Sequence, residues 1–189
     1  MSELEIDVRN DTRYRVDEDA VAELARAVLQ AEGVAAAELG ISFIGELRMR
    51  SLNRAHRDAD YVTDVLAFPL EDPAEVSGGV AGEALGNRGV AGEALGDREV
   101  AGEGSPAPRL LGDVVVCLRR AERQAAQGGL PLSLETAVLL VHGILHILGY
   151  DHEIDAGDMA LRQGQLLERV VWQRLIVPAP GRAGGTVSP

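Results

Sequence analysis

The sequence contains no lysine; all eighteen basic residues among its 189 are arginine. Every basic phosphate contact would therefore be made by a guanidinium, which can bind bidentately. There is a single cysteine, Cys117, which excludes a disulfide within the chain. It ends an apolar run and reads as a small core residue rather than a nucleophile. No apolar stretch reaches the roughly eighteen residues of a membrane-span candidate. The opening Met1-Ser2-Glu3-Leu4-Glu5 is acidic and lacks the apolar centre of a secretory signal. These absences lead us to expect a cytoplasmic protein with no membrane segment. An excess of positive charge is also missing, since the formal net charge is −12. That argues against a broad, nonspecific grip on nucleic acid, which needs a basic face, so any such contact has to be local.

Hydrophobic residues make up 46%, within the globular range. The length suits one domain with a sizeable core. The charge is uneven. From Glu71 to Pro108 eight acidic residues face only Arg88 and Arg98, so this segment carries −6, half of the total. Within it Val80–Gly89 is nearly repeated as Val90–Glu99, and a third copy begins at Val100. A ten-residue period rich in glycine and free of aromatics is too short for a helical solenoid unit and reads as a disordered acidic insertion. The remainder of 1–177 is expected to form the domain, with a disordered Pro/Gly-rich tail at 178–189.

The residues with the clearest chemistry lie at Val141-His142-Gly143-Ile144-Leu145-His146-Ile147-Leu148-Gly149-Tyr150-Asp151-His152, which holds three of the four histidines. A helix from Leu134 to Leu148 sets His142 and His146 at i,i+4 on one face. Its apolar residues surround it, so it should be buried, with Ser133 as N-cap. Gly149 ends the helix and lets the chain return His152 toward the other two. Three neutral imidazoles around an open position form a catalytic zinc arrangement, with water as the fourth ligand, so one Zn²⁺ per chain is expected. The spacing equals that of the long zinc-protease motif, but Gly143 stands where a peptidase carries its glutamate base.

Along the chain, Leu4–Val8 alternates as a half-buried strand and Asp17–Gln30 is an amphipathic helix. Gly33 and the alanines after it make a poor strand, whereas Gly40–Ile44 is a good short one. Glu46–Arg57 is a helix with Leu47 and Leu52 inward; Arg50 and Arg54 lie on its solvated flank. Val65–Phe68 is a buried strand, and Asp64 before it organises the loop. Leu110–Cys117 is a central strand. Asp113 within it has two open readings, an acceptor behind a ligand histidine or a turn residue. Arg119–Gln127 is a polar helix. A last helix after Glu153 and Asp155 turns Met159, Leu166, Leu167, Val170, Val171 and Leu175 inward, with Gly164 a weak point. The order β-α-β-α-β-β-α-α-α gives an α+β fold. It has a mixed sheet of about four strands packed against several helices, and the metal site lies on a buried helix and the loop after it.

The string H-G-I-L-H-I-L-G-Y-D-H closely resembles the signature of the YbeY family, metal-dependent endoribonucleases of ribosomal RNA maturation. Two further segments carry the likeness. Asn53, Arg57 and Thr63-Asp64-Val65-Leu66-Ala67-Phe68-Pro69 match in order, with Ala67 where serine is usual. Leu111-Gly112-Asp113 before a β-branched strand is the other. The family's basic loop is altered here, with Asp58 for glycine, Ala59 for lysine and Val62 for proline. The resemblance covers most of the chain outside the insertion and tail. It implies a single-strand-specific endoribonuclease acting in 16S 3′-end maturation and ribosome quality control. Its partners would be precursor ribosomal RNA and the small ribosomal subunit. Arg57 would hold the scissile phosphate beside zinc bound by His142, His146 and His152. Two rival classes are a zinc-dependent peptidase or amide hydrolase, and an assembly factor whose zinc is structural.

Overall fold

A computed structural model describes residues 4–70, 109–150 and 157–177. The repeat insertion at 71–108, His152 with Glu153 and Asp155, and the tail at 178–189 lie outside the described residues. The elements follow the expected order: β1 (Leu4–Asn10), α1 (Glu18–Ala31), β2 (Ala37–Phe43), α2 (Glu46–Arg57), β3 (Val65–Pro69), β4 (Arg109–Val116), α3 (Leu118–Gly128), α4 (Leu132–Ile147) and α5 (Asp158–Leu167). The fold is α+β with one four-stranded sheet in the order β1-β2-β4-β3. β1, β2 and β4 run parallel, and β3 pairs antiparallel with β4.

Strand alternation divides the packing between the two faces of the sheet. Leu111, Val114 and Val116 of β4 join Leu39, Ile41 and Phe43 of β2 in the main core, with α1 and α4 over them. Leu66, Val115 and Cys117 point the other way, into a smaller core closed by Ile44 and Met49, with Leu52 packed at its edge. Thus α4 lies on one face of the β3–β4 pair and α2 on the other. Asp17 caps α1 through Ala20 N–H at 3.0 Å, a bond worth about 1 kcal/mol in such positions.

Four expectations need correction. β2 starts at Ala37, because pairing on both sides with β1 and β4 outweighs the weak strand propensity of its first residues. Leu47 is 85% exposed, and Met49 fills the space beneath α2 instead. Val171 is 62% exposed; α5 stops at Leu167, so the helical spacing that would turn Val171 inward no longer applies. Ser133 is not the N-cap of α4. The helix begins at Leu132, two residues earlier than expected, behind Pro131, and the Ser133 hydroxyl accepts from Ile176 N–H at 3.3 Å, fastening the C-terminal segment.

Among the described residues no single helix is long and apolar enough to cross a membrane; α3 and α4 together reach the length only across a 118° bend. At the start of α4, burial and then the nearby Asp64 carboxylate push the Glu135 carboxyl upward. This holds although the helix N-terminus favours a negative charge. Because the folded-state value lies above the ordinary 4.5, stability is lost as pH rises through that interval. We expect Glu135→Gln to melt higher than wild type at neutral pH. The difference should vanish below the ordinary glutamate value, as followed by thermal unfolding against pH.

Candidate metal and phosphodiester site

The site is built on the C-terminal half of α4. Gly143 faces the sheet so closely that an added Cβ would lie 2.6 Å from Val114 Cγ1 and 3.3 Å from Val65 Cγ2. With 100° per residue, fixing Gly143 against the strands sets the roll of the helix and sends His142 and His146 out along one common side. Both are half-buried. Their rings meet edge to face with centroids 4.6 Å apart, and their Nε2 atoms stand 3.1 Å apart. His142 Nδ1 lies 3.1 Å from the Gln163 carboxamide oxygen on α5. That oxygen can only accept, so it sets the His142 proton on Nδ1 and leaves a lone pair on Nε2.

This geometry fits a metal. Two nitrogen ligands at 2.0–2.1 Å from one tetrahedral ion stand about 3.3 Å apart, close to the separation of the two Nε2 atoms. An all-imidazole donor set suits zinc. The last turn of α4 also turns the negative end of the helix dipole toward this point, which favours a cation. Among the described residues no group of three His, Cys, Asp or Glu side chains converges on such a point; the third expected ligand, His152, is outside them.

The chain leaves α4 in a defined direction. Gly149 adopts φ 93°. Its N–H bonds to His146 O at 3.1 Å, and Tyr150 N–H bonds to Leu145 O at 3.0 Å. This is the paired closure of a Schellman turn. Tyr150 then donates its hydroxyl to Glu32 at 2.9 Å, and burial followed by that carboxylate pushes the phenol pKa up. Glu32 also binds Arg162 Nε at 2.6 Å. One carboxylate therefore ties the end of α1 to the segment leading to His152 and to the residue before Gln163.

Arg57 stands exposed at the end of α2, on the helix opposite α4. Its guanidinium makes no hydrogen bond or ion pair among the described residues. Arg50, expected on a solvated flank, is bound through two bonds of 2.8 Å to Asp60. Asn53 is buried and donates to Tyr61 O at 3.0 Å, closing the loop between α2 and β3. Asp58 takes a left-handed φ of 53°, the conformation that glycine, the family's residue there, adopts without strain. Asp64 holds this corner: its carboxylate accepts from Val65 N–H at 2.8 Å and from Gln124 at 2.7 Å. Its carbonyl accepts from Cys117 N–H. The Cys117 thiol is pushed up by burial.

Asp113 is not behind either described histidine of α4, nor is it in a turn. It lies within β4, exposed, on the opposite face from its neighbour Val114, which meets Gly143. It belongs instead to an acidic cleft with Glu5, Asp7 and Glu38. Sequence reasoning missed Gln163, Glu32 and Arg162. Gln163 had a signal: it lies at i+4 from Met159, on the stripe that Met159 and Leu166 bury. Glu32 and Arg162 had none, since their pairing spans 130 residues.

A family model described as Endoribonuclease YbeY matches residues 5–171. An endoribonuclease YbeY of Macrococcus caseolyticus is 33% identical over 163 residues, covering 83% of this chain and 90% of the relative. One from Mycolicibacterium smegmatis is 35% identical over 171 residues, covering 89% and 84%. The solution structure of a Thermotoga maritima protein aligns with TM-score 0.52 and 21% identity over 86% of this chain and 87% of that one, a likeness of fold.

The space at Gly143 bears on the chemistry, because a glutamate there would have to enter the sheet. Alanine would gain about 1 kcal/mol of helix propensity but force overpacking against Val114, costing about 1–3 kcal/mol. We expect Gly143→Ala to lower the denaturation midpoint at unchanged slope. Equal or higher stability would contradict the contact.

Proposed function

The chain belongs to the YbeY endoribonuclease family, and from that premise we propose that it is a zinc-dependent, single-strand-specific endoribonuclease. It acts in ribosomal RNA processing, including 16S 3′-end maturation, and in ribosome quality control. Precursor RNA and the small ribosomal subunit are its partners, in the cytoplasm. The observation that carries the metal reading is the pair of imidazole nitrogens 3.1 Å apart, with the Gln163 oxygen placed to accept from Nδ1 of His142 and so leave its Nε2 a lone pair.

His142, His146 and His152 would hold one zinc ion. Bound there, zinc would supply an acidified water and draw charge from a phosphoryl oxygen. Arg57 would give the phosphate a positive partner; a guanidinium can take two phosphate oxygens at once. The acidity of the chain as a whole, −12, repels the RNA backbone elsewhere and leaves binding to such local contacts. A peptidase reading is disfavoured, since the position of the protease base is Gly143 and is closed by Val114.

The test compares purified wild type with His146→Ala for bound metal and for cleavage of single-stranded RNA. Wild type should carry about one zinc per chain and cleave. Chelation should abolish cleavage and added zinc restore it, because the ligands act only when metallated. His146→Ala should lose both. A wild type that takes up no zinc when supplied, or a variant that keeps both properties, would overturn the reading.

A further inference from the structure

α5 is short and its interior contains Gly164, a poor helix residue, yet it presents Gln163 to His142. What holds it is the residue before. Arg162 donates Nε to Glu32 at 2.6 Å, one terminal nitrogen to Ala31 O at 2.9 Å, and the other to Gln165 at 3.0 Å. The Glu32 side chain is only 11% exposed and Arg162 24%. Such a sheltered pair is costly to break when only one partner is removed. The remaining Glu32 oxygen takes the Tyr150 hydroxyl. The clamp thus fixes α5 and the exit from α4 to the same point at the end of α1.

We propose that Gln163, held by the Arg162–Glu32–Tyr150 clamp, is a positioning residue that keeps the His142 proton on Nδ1 and turns its Nε2 to the metal. The inference rests on the metal reading above. A neutral imidazole has two tautomers, and only one leaves Nε2 able to bind. Without an acceptor at Nδ1 the ring is free to carry its proton on Nε2, facing His146, where it blocks the ion. Partners of this kind behind a ligand histidine typically change metal affinity by 10–100-fold when lost. Glutamate in place of Gln163 retains the acceptor and makes it stronger.

Two measurements on the full chain test this. In metal-free protein with ¹⁵N-labelled histidine, long-range NMR correlations should find the His142 proton on Nδ1 in wild type and in Gln163→Glu. They should find a shift toward Nε2 in Gln163→Met. Competition with a chromogenic chelator should give Gln163→Met a zinc affinity about 10–100-fold weaker than wild type. Gln163→Glu should bind at least as tightly as wild type. Metal-free melting temperatures within a few degrees of each other separate positioning from lost folding, and Gln163→Glu serves if the methionine variant does not fold. Wild-type affinity in Gln163→Met, an unmoved proton there, or weaker binding by Gln163→Glu than by Gln163→Met would overturn this inference alone. A wild type that binds no zinc would overturn the metal reading and this inference with it.

Discussion

The bare backbone of Gly143 against Val114 and Val65 is the contact on which the site depends. It seats α4 on the sheet and fixes the roll of that helix. Interiors packed at crystal-like density do not let such a helix turn freely. With the roll fixed, the i,i+4 spacing alone brings His142 and His146 to 3.1 Å. The glycine that removes a protease base from the motif is thus the residue that aims the two histidines of α4. Its chemical loss and its structural gain have one cause.

The two faces of the sheet have different duties, and strand alternation assigns them. Val114 and Asp113 are neighbours in β4, but one meets α4 and the other opens onto an acidic cleft with Glu5, Asp7 and Glu38. Carboxylates on that face repel a phosphate backbone. Arg57 ends the helix that packs on the cleft's side of the sheet. The loop after it, tied back to Asn53 of α2 through Tyr61, runs from Asp58 to Asp64 and into β3, whose first residue, Val65, faces Gly143. That loop joins a cation on one face to the helix bearing His142 and His146 on the other.

Local signals made much of this legible. The order of nine elements, the four-stranded sheet and the helix bearing the histidines follow from periodicity and punctuation, and Gly149 has the positive φ its position required. What was illegible was decided at a distance. Met49 rather than Leu47 is buried under α2 because the small core there is placed by β3 and β4. Ser133 serves Ile176 rather than its own helix. Asp113 needed the strand register, and Glu32 with Arg162 needed the folded chain to bring α5 to the end of α1. No sequence window contains those partners.

The central claim is a metal held by three histidines, two of them oriented by α4. X-ray absorption at the zinc edge on the purified, zinc-loaded protein addresses it most directly. The account predicts a first shell of three imidazole nitrogens and one oxygen at about 2.0–2.1 Å, with no sulfur. Sulfur scattering at about 2.3 Å, which only Cys117 or a methionine could supply from this chain, would contradict it. So would a shell with fewer than three imidazoles.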